Sequence, residues 1–245
     1  ETRFIPEVVL TSNQYTEWGE KIAIIGAGPA GLSAANYLAT KGYKPTVFEK
    51  HDEPGGMMVY GIPSYKLQKD VVAAEIDVIR ELGVEIRTGV EVGKDVTIQE
   101  LRDQGYQAFY IAIGLQGGRL AGVPGEDANG VESGVSFLRR INQDNTVKLS
   151  GDVVVVGGGN VAADVARAAV RATDGKVTML SLEQRDEMPA ARDEIDEVLE
   201  EGIVIENGWG PKEIIAKDGK VSAIVFKKCT SVKDADGRFN PQYDE

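Results

Sequence analysis

The sequence predicts an α/β fold of two tandem Rossmann-like units, because one strand–turn–helix signature occurs in it twice. The first copy is Lys21-Ile-Ala-Ile-Ile-Gly-Ala-Gly-Pro-Ala-Gly31, a β-branched run leading into G-x-G-x-x-G. The second is Asp152-Val-Val-Val-Val-Gly-Gly-Gly-Asn-Val-Ala162, with the accepted variant G-x-G-x-x-A. Each is followed by a helix-forming stretch and another apolar strand, Thr46-Val-Phe48 and Lys176-Val-Thr-Met-Leu-Ser181. The spacing has a mechanical meaning. Gly26 permits a tight turn, Gly28 lets the backbone approach a pyrophosphate, and Gly31 lets the helix lie close to the strand. Gly157, Gly159 and Ala162 repeat these roles. A phosphate would sit at the helix N-terminus, where free N–H groups and the helix dipole favour an anion. Glu49 lies about twenty residues past the first glycines, where an acid binds ribose hydroxyls. We therefore expect a lead-in over residues 1–20, a first dinucleotide domain over 21–149 and a second over 150–245.

The elements follow in order. Pro29 to Lys41 is expected as a helix, packed through Ala30, Ala34 and Ala35 and stopped by Gly42. Thr46 to Glu49 is the second strand. Gly55-Gly-Met-Met-Val-Tyr-Gly-Ile-Pro-Ser64 has no helical or strand period, yet it is too apolar for an idle loop, so something flat and apolar is expected to cover it; the plainer alternative is a loop that plugs the core. Lys66 to Leu82 places Val71, Val72, Ile76, Ile79 and Leu82 on one helical face. Val84 to Arg87 is a short strand and Thr97 to Gln104 a short helix. Phe109 to Gly114 is expected as a buried strand, and Ser133 to Ile141 as a helix. The second copy continues through Ala163, Val165, Ala166, Ala169 and Val170. A helix near Asp193 to Glu201 turns Ile195, Val198 and Leu199 inward. A strand over Ile203 to Ile205 precedes a hairpin, Lys212 to Ala216 and Val221 to Phe226, turning at Lys217-Asp-Gly-Lys220. The last residues, from Phe239, are expected to hold no terminating element. The ends read as those of a module from a longer polypeptide.

Composition removes several classes of function. With 27 basic and 39 acidic residues the formal charge is −12, which disfavours nucleic acid and anionic membrane partners. No apolar run approaches the ~20 residues that span a bilayer. Cys229 is the single cysteine. It cannot make an internal redox disulfide, an iron–sulfur cluster or a cysteine-based zinc site, and it fits a reducing, cytoplasmic compartment. It is expected as a plain hairpin residue. The lone histidine, His51, is expected in a loop at the ribose edge rather than as a catalytic base. The acids Asp193, Glu194, Asp196 and Glu197 read as a solvated helix face, and Trp18 and Trp209 as packing residues.

The segments GAGPAG, GGMMVYGIPSYKL, FYIAIGLQGGRLAGVPGEDANGV, GGGNVAADVA and EQRDEMPA, in that order, closely resemble the glutamate synthase small-subunit-like family of FAD-dependent NAD(P)H oxidoreductases. The resemblance covers nearly the whole chain from about residue 20. It implies a disulfide-reductase-like architecture without the redox disulfide, with FAD in the first fold and a nicotinamide dinucleotide in the second. Carried onto this sequence, Gly26, Gly28, Pro29 and Ala30 would face the FAD pyrophosphate. Glu49, with Lys50 beside it, would take the adenosine ribose. Gly56, Met57, Tyr60, Gly61 and Ile62 would lie near the flavin, and Ala112, Ile113 and Gly114 would form the crossing between domains. Gly159, Asn160 and Val161 would approach the nicotinamide cofactor's phosphates. Members often carry upstream iron–sulfur cysteines and a returning C-terminal segment with a Gly-Asp pair beside FAD. This sequence has neither, so the electron exit is expected in an iron–sulfur domain or partner subunit outside it.

Many relatives read Tyr-Arg-Arg-Ser after the second strand of the nucleotide domain, where the arginines grip a 2′-phosphate. Here the aligned residues are Ser181-Leu-Glu-Gln184. A carboxylate at Glu183 about 5 Å from a phosphate would cost roughly 3 kcal/mol at an effective dielectric of ~20. NAD(H) is therefore expected over NADP(H); the alternative leaves Glu183 in solvent and lets Arg185 or Arg192 reach the phosphate. The expected reaction passes a hydride between nicotinamide and flavin and needs no side-chain acid or base. A non-catalytic FAD- or NAD-binding structural or sensing subunit is the competing reading. A methyltransferase on the same glycine loop is a weaker one.

Overall fold

The computed structural model describes residues 19–244. Trp18 and nearly all of the expected lead-in lie outside them. The chain divides into two compact units, one ending at Gln116 and the other starting at Gly117.

The first unit is a four-stranded, all-parallel sheet in the order β3-β2-β1-β4. Its elements are β1 (Lys21–Ile25), α1 (Pro29–Thr40), β2 (Lys44–Phe48), the single turn α2 (Met57–Tyr60), α3 (Lys69–Glu81), β3 (Glu85–Arg87), α4 (Ile98–Asp103) and β4 (Tyr106–Ile111). Alternation along β1 explains the layering. Ile22 and Ile24 join Leu32, Ala35, Val47, Val72, Ile76 and Val84 in one core. Ala23 belongs to another, with Phe48, Leu101 and Tyr106. Phe48 and Tyr106 meet edge to face at 5.6 Å. Both α1 and α3 lie on the first core. The register of Ile25 against Phe48 and Ile111 brings the strand ends and the turns after them to one edge of the sheet.

Three expectations change here. β4 begins three residues earlier than the apolar run suggested, and it is exposed rather than buried: Tyr110 is 45% and Ile111 58% accessible. It stands at the end of the sheet with β1 as its partner, so its hydrophobic run cannot report burial on both faces. Val71 points outward at 49% exposure, because its neighbour Val72 takes the core face. The apolar loop contains a helical turn, α2, that no period announced.

The second unit holds α5 (Gly134–Gln143), β5 (Val153–Val156), α6 (Asn160–Ala172), β6 (Val177–Ser181), α7 (Arg192–Glu200) and β7 (Val204–Asn207). Its parallel sheet runs β5-β6-β7. β5 is an edge, and Val154 and Val156 are each 43% exposed on it. An antiparallel sheet follows from β8 (Trp209–Lys217), β9 (Lys220–Lys233) and β10 (Phe239–Tyr243). The β8–β9 turn is placed as expected, with Asp218 at φ 53° and Gly219 at φ 75°, the left-handed pair that tight hairpins require. The hairpin strands are longer than expected, and β10 closes residues expected to hold no element. Leu199 is 45% exposed, since it adjoins Val198, which faces the core.

The expected first domain ran to residue 149, but the units part at 116/117. The segment after Gly117 is bound to the later hairpin. Ile214 N–H donates to Pro124 O, Val221 N–H to Asn129 O and Asn129 N–H to Gly219 O. Phe137 and Leu138 of α5 lie in the same core as Ala163, Ala166 and Met179. Nothing in the sequence between 117 and 149 advertises those partners.

Candidate functional site

Two glycine loops end β1 and β5, and each leads into a helix whose first N–H groups have no side-chain partner. Gly26 (φ 105°) could not carry a Cβ, which would lie 2.3 Å from Ala112 O. A Cβ on Gly31 would lie 1.9 Å from Gly26 O, so the helix-to-strand contact demands glycine there. Gly28 is different: the nearest neighbour of an added Cβ is Gly56 Cα at 3.9 Å. The space above it is open. In the second loop the third position tolerates Ala162, and the space above Gly159 is also open, with Pro189 Cγ at 4.0 Å.

The helices differ from the rest in their first turns. α1 begins on Gly28 and α6 on Gly159, both with extended backbone, no side-chain cap and no acid in the first turn. α4 and α5 are capped by Thr97 and Ser133, while α3 and α7 carry acids in the first turn. Among the described residues, α1 and α6 alone, of helices longer than one turn, leave the positive end uncompensated. Their donors and dipoles fit a pyrophosphate. Pro29 at N1 removes one of the α1 donors and pre-sets the helix. Ala30 does not pack as expected but is exposed beside this end.

A carboxylate stands over each loop. Glu49, 4% exposed, accepts from Ala27 N–H at 2.8 Å through Oε2 and from His51 N–H at 2.9 Å through Oε1. Each oxygen keeps acceptor capacity for a further donor. Lys50 is exposed. Glu183 is half-buried, and a Cβ on Gly158 would lie 2.5 Å from its Oε2. The two acids are not equivalent in register. Gly26 N–H bonds Phe48 O and Gly157 N–H bonds Leu180 O, each at 2.8 Å. Glu49 therefore corresponds to Ser181, and Glu183 comes two residues later. Its carbonyl is held by Ser181 Oγ, Asn207 Nδ2 and Gly208 N–H at 2.9, 3.2 and 3.2 Å. Arg185 and Arg192 are exposed.

The apolar loop is fixed to the first glycine turn. Gly55 N–H donates to Ala27 O at 2.7 Å. Gly56 (φ 55°) lies against Gly28, which a Cβ would meet at 2.7 Å. Met57 and Ile62 are half-buried, while Gly61 and Tyr60 are buried. The Tyr60 hydroxyl bonds both the N–H and the carbonyl of Glu53, and its ring lies 4.8 Å from that of His51. Burial raises its pKa above the usual tyrosine value. His51 Nε2 is 3.2 Å from Gln116 Oε1, which makes it a loop residue with structural partners. Ala112 N–H continues the ladder to Ile25 O, and Ile113 and Gly114 (φ 67°) follow, exposed.

Asn160 uses its side chain to accept from Ala191 N–H at 2.8 Å, and Ala190 N–H donates to Gly158 O. The EMPA segment is thereby tied to the second loop, with Met188 and Ala190 buried and Val161 exposed at the helix start. Cys229 is buried in β9, and burial raises its thiol above the usual range, as expected of an inert residue. Residues that sequence reasoning missed are Ala27, Gly55, Gly158 and Asn207. The third consecutive glycine at 157–159 was a visible signal for Gly158; the others act through backbone or from distant strands. No cluster of metal-ligating side chains and no helix long and apolar enough to cross a membrane occurs among the described residues.

Residues 20–239 match the family model described as pyridine nucleotide-disulphide oxidoreductase. The NADP(+)-dependent formate dehydrogenase subunit beta of Moorella thermoacetica is 44% identical over 230 residues, covering 91% of this chain and 32% of its own length. The glutamate synthase [NADPH] small chain of Halomonas elongata is 36% identical, covering 91% and 49%. The chain thus spans a third to a half of these relatives. Mycobacterium tuberculosis FprA in complex with NADPH shares the fold, with a TM-score of 0.79 at 22% identity over 91% of this chain and 67% of that one. The chain belongs to the pyridine nucleotide-disulphide oxidoreductase family, as an α/β oxidoreductase module of the kind that binds FAD and NAD(P)H.

Proposed function

We propose that the first unit holds FAD, that the second holds a nicotinamide dinucleotide, NADH in preference to NADPH, and that electrons leave to an iron–sulfur domain or partner subunit outside this chain. The observation that carries the reading is the pair of uncompensated helix ends at α1 and α6, each with an acid over its glycine loop. The bound cofactors supply the chemistry, a hydride passing between nicotinamide C4 and flavin N5. The chain's own residues bind and orient. Gly28 and Gly159 admit the pyrophosphates; the first-turn N–H groups of α1 and α6 donate to them. Glu49 accepts from the FAD ribose. The loop from Gly55 to Ile62 covers the apolar ring and excludes water. Orientation of this kind accounts for a large share of the rate in a bimolecular transfer.

The NADH preference rests on Glu183. Its carbonyl has three donors, so its backbone is held, and its carboxylate lies at the glycine loop. There it accepts from a ribose diol and repels a 2′-phosphate. The formate dehydrogenase subunit and the glutamate synthase small chain carry NADP(H) in their names, so this preference would set the chain apart from them.

An anaerobic titration tests the proposal. The FAD-loaded protein is mixed with NADH or NADPH, and flavin absorbance is followed. The expected result is bleaching at a far lower NADH concentration, with Glu183→Ser narrowing the gap by roughly tenfold or more. Equal or reversed preference in the parent removes the role of Glu183 and leaves the oxidoreductase. Flavin that binds and is reduced by neither nucleotide supports a binding subunit instead.

A further inference from the structure

Lys69 stands where a cation is disfavoured. It is the first residue of α3, at the positive end of that helix, and burial lowers its pKa below the usual lysine value. Its partners are two carbonyl oxygens rather than a carboxylate: Met58 O at 2.8 Å and Ile62 O at 2.5 Å. Desolvation and the helix dipole both oppose an ammonium here. The hydrogen bonds therefore need a reason beyond the stability of α3.

The reason lies in the loop. α2 is a single turn, and Gly61 and Ile62 both donate to Met57 O. That leaves the next carbonyl, Met58 O, without the amide that a longer helix would supply. The Lys69 ammonium fills that place and, through Ile62 O, also fixes the chain as it leaves the turn. At its front the loop is held by Gly55 N–H on Ala27 O and by contact of Gly56 with Gly28. Lys69 is the hold at its back. Met57, Met58 and Val59 lie between the two holds, half-exposed.

We propose that Lys69 is a positioning residue that sets the Gly55–Ile62 loop against the flavin; this rests on the first unit holding FAD. A methionine side chain, of similar length, has no donor for either carbonyl, whereas a guanidinium can donate to both.

The test uses the full-length protein as parent, Lys69→Met and Lys69→Arg. Hydrogen exchange in the apoprotein reads the amides of Gly61, Ile62 and their neighbours. Loss of charge-assisted bonds is expected to speed exchange across the loop about tenfold in Lys69→Met, with β1 and α1 unchanged and with most protection restored in Lys69→Arg. The dissociation constant for FAD is expected to rise about tenfold in Lys69→Met, with a changed visible circular dichroism band for the flavin that remains. Unchanged loop exchange overturns the assignment. So does a lower melting temperature with FAD affinity and flavin spectrum as in the parent, because Lys69 would then serve the fold alone. A parent that takes up no FAD overturns the flavin reading itself, and that result is distinct from either of the others.

Discussion

A methyl group added at Gly31 would meet the carbonyl oxygen of Gly26 at 1.9 Å, whereas one at Gly28 finds nothing nearer than Gly56 Cα at 3.9 Å. The two glycines of one motif thus answer to different demands. Gly31→Ala should lower stability by about 1–3 kcal/mol through overpacking, read as a fall in melting temperature without ligand. Gly28→Ala should leave stability within roughly 0.5 kcal/mol while weakening FAD binding, read by flavin titration. Equal effects on both quantities would deny that Gly28 faces a ligand. At this scale the sequence was informative where a residue acts by what it lacks, as at Gly26 and Gly31, where an added Cβ would meet backbone oxygen. It did not show that the Tyr60 hydroxyl bonds the Glu53 backbone. Nor could it place Asn207, which reaches the Glu183 carbonyl from a different strand.

Helices α6 and α7 are joined by charge as well as by their apolar faces. Arg167, 8% exposed, pairs with Glu197 and, through Nε at 2.7 Å, with Glu201; Arg171 also reaches Glu201. Burial pushes the Glu201 carboxyl up, but the two guanidiniums outweigh it and hold the group below its ordinary 4.5. A depressed folded pKa contributes stability that is present above the unfolded value and is lost as pH falls through the folded one. Melting temperature should therefore drop on acidification below about 4.5, and Glu201→Gln should flatten that drop. At neutral pH the substitution should cost about 1–2 kcal/mol, less than the ~3–5 of a broken, fully buried pair, because Glu197 remains on Arg167. A melting curve with the same pH slope in both proteins would refute this. Period predicted these helices well and their facing less well. Val71 and Leu199 adjoin residues that take the core, and the ~100° step between consecutive helical positions turns these two toward solvent. The exposure of β4 was hidden for another reason: its apolar run describes a strand, and only the order of strands tells that it ends the sheet.

Seen whole, the molecule is one plan used twice with unequal endings, and it carries a formal charge of −12. Both proposed cofactors are polyanions. Local N–H groups and helix dipoles attract them at contact, but at longer range the net field repels them. Reduction of the bound flavin at limiting nucleotide should therefore speed up as ionic strength rises from ~10 mM towards ~150 mM, as the Debye length shrinks from about 30 to 8 Å. A rate that falls with salt would mean that a local positive field governs capture. The duplicated plan was legible from two glycine motifs. The unit boundary was not, because Pro124 and Asn129 are held by hydrogen bonds to a hairpin far along the chain and Phe137 and Leu138 pack in the second unit's core.

The unequal endings have a practical consequence. β1 lies between β2 and β4, but among the described residues β5 pairs on one side only, with β6, and Val154 and Val156 are exposed on it. Such an edge is a template for any extended segment, including the same edge of another molecule. Handling the chain therefore becomes a matter of kinetics: refolding is a race between closing each molecule and zipping two together. The first step is independent of concentration and the second rises with its square, so recovery should be highest in dilute solution.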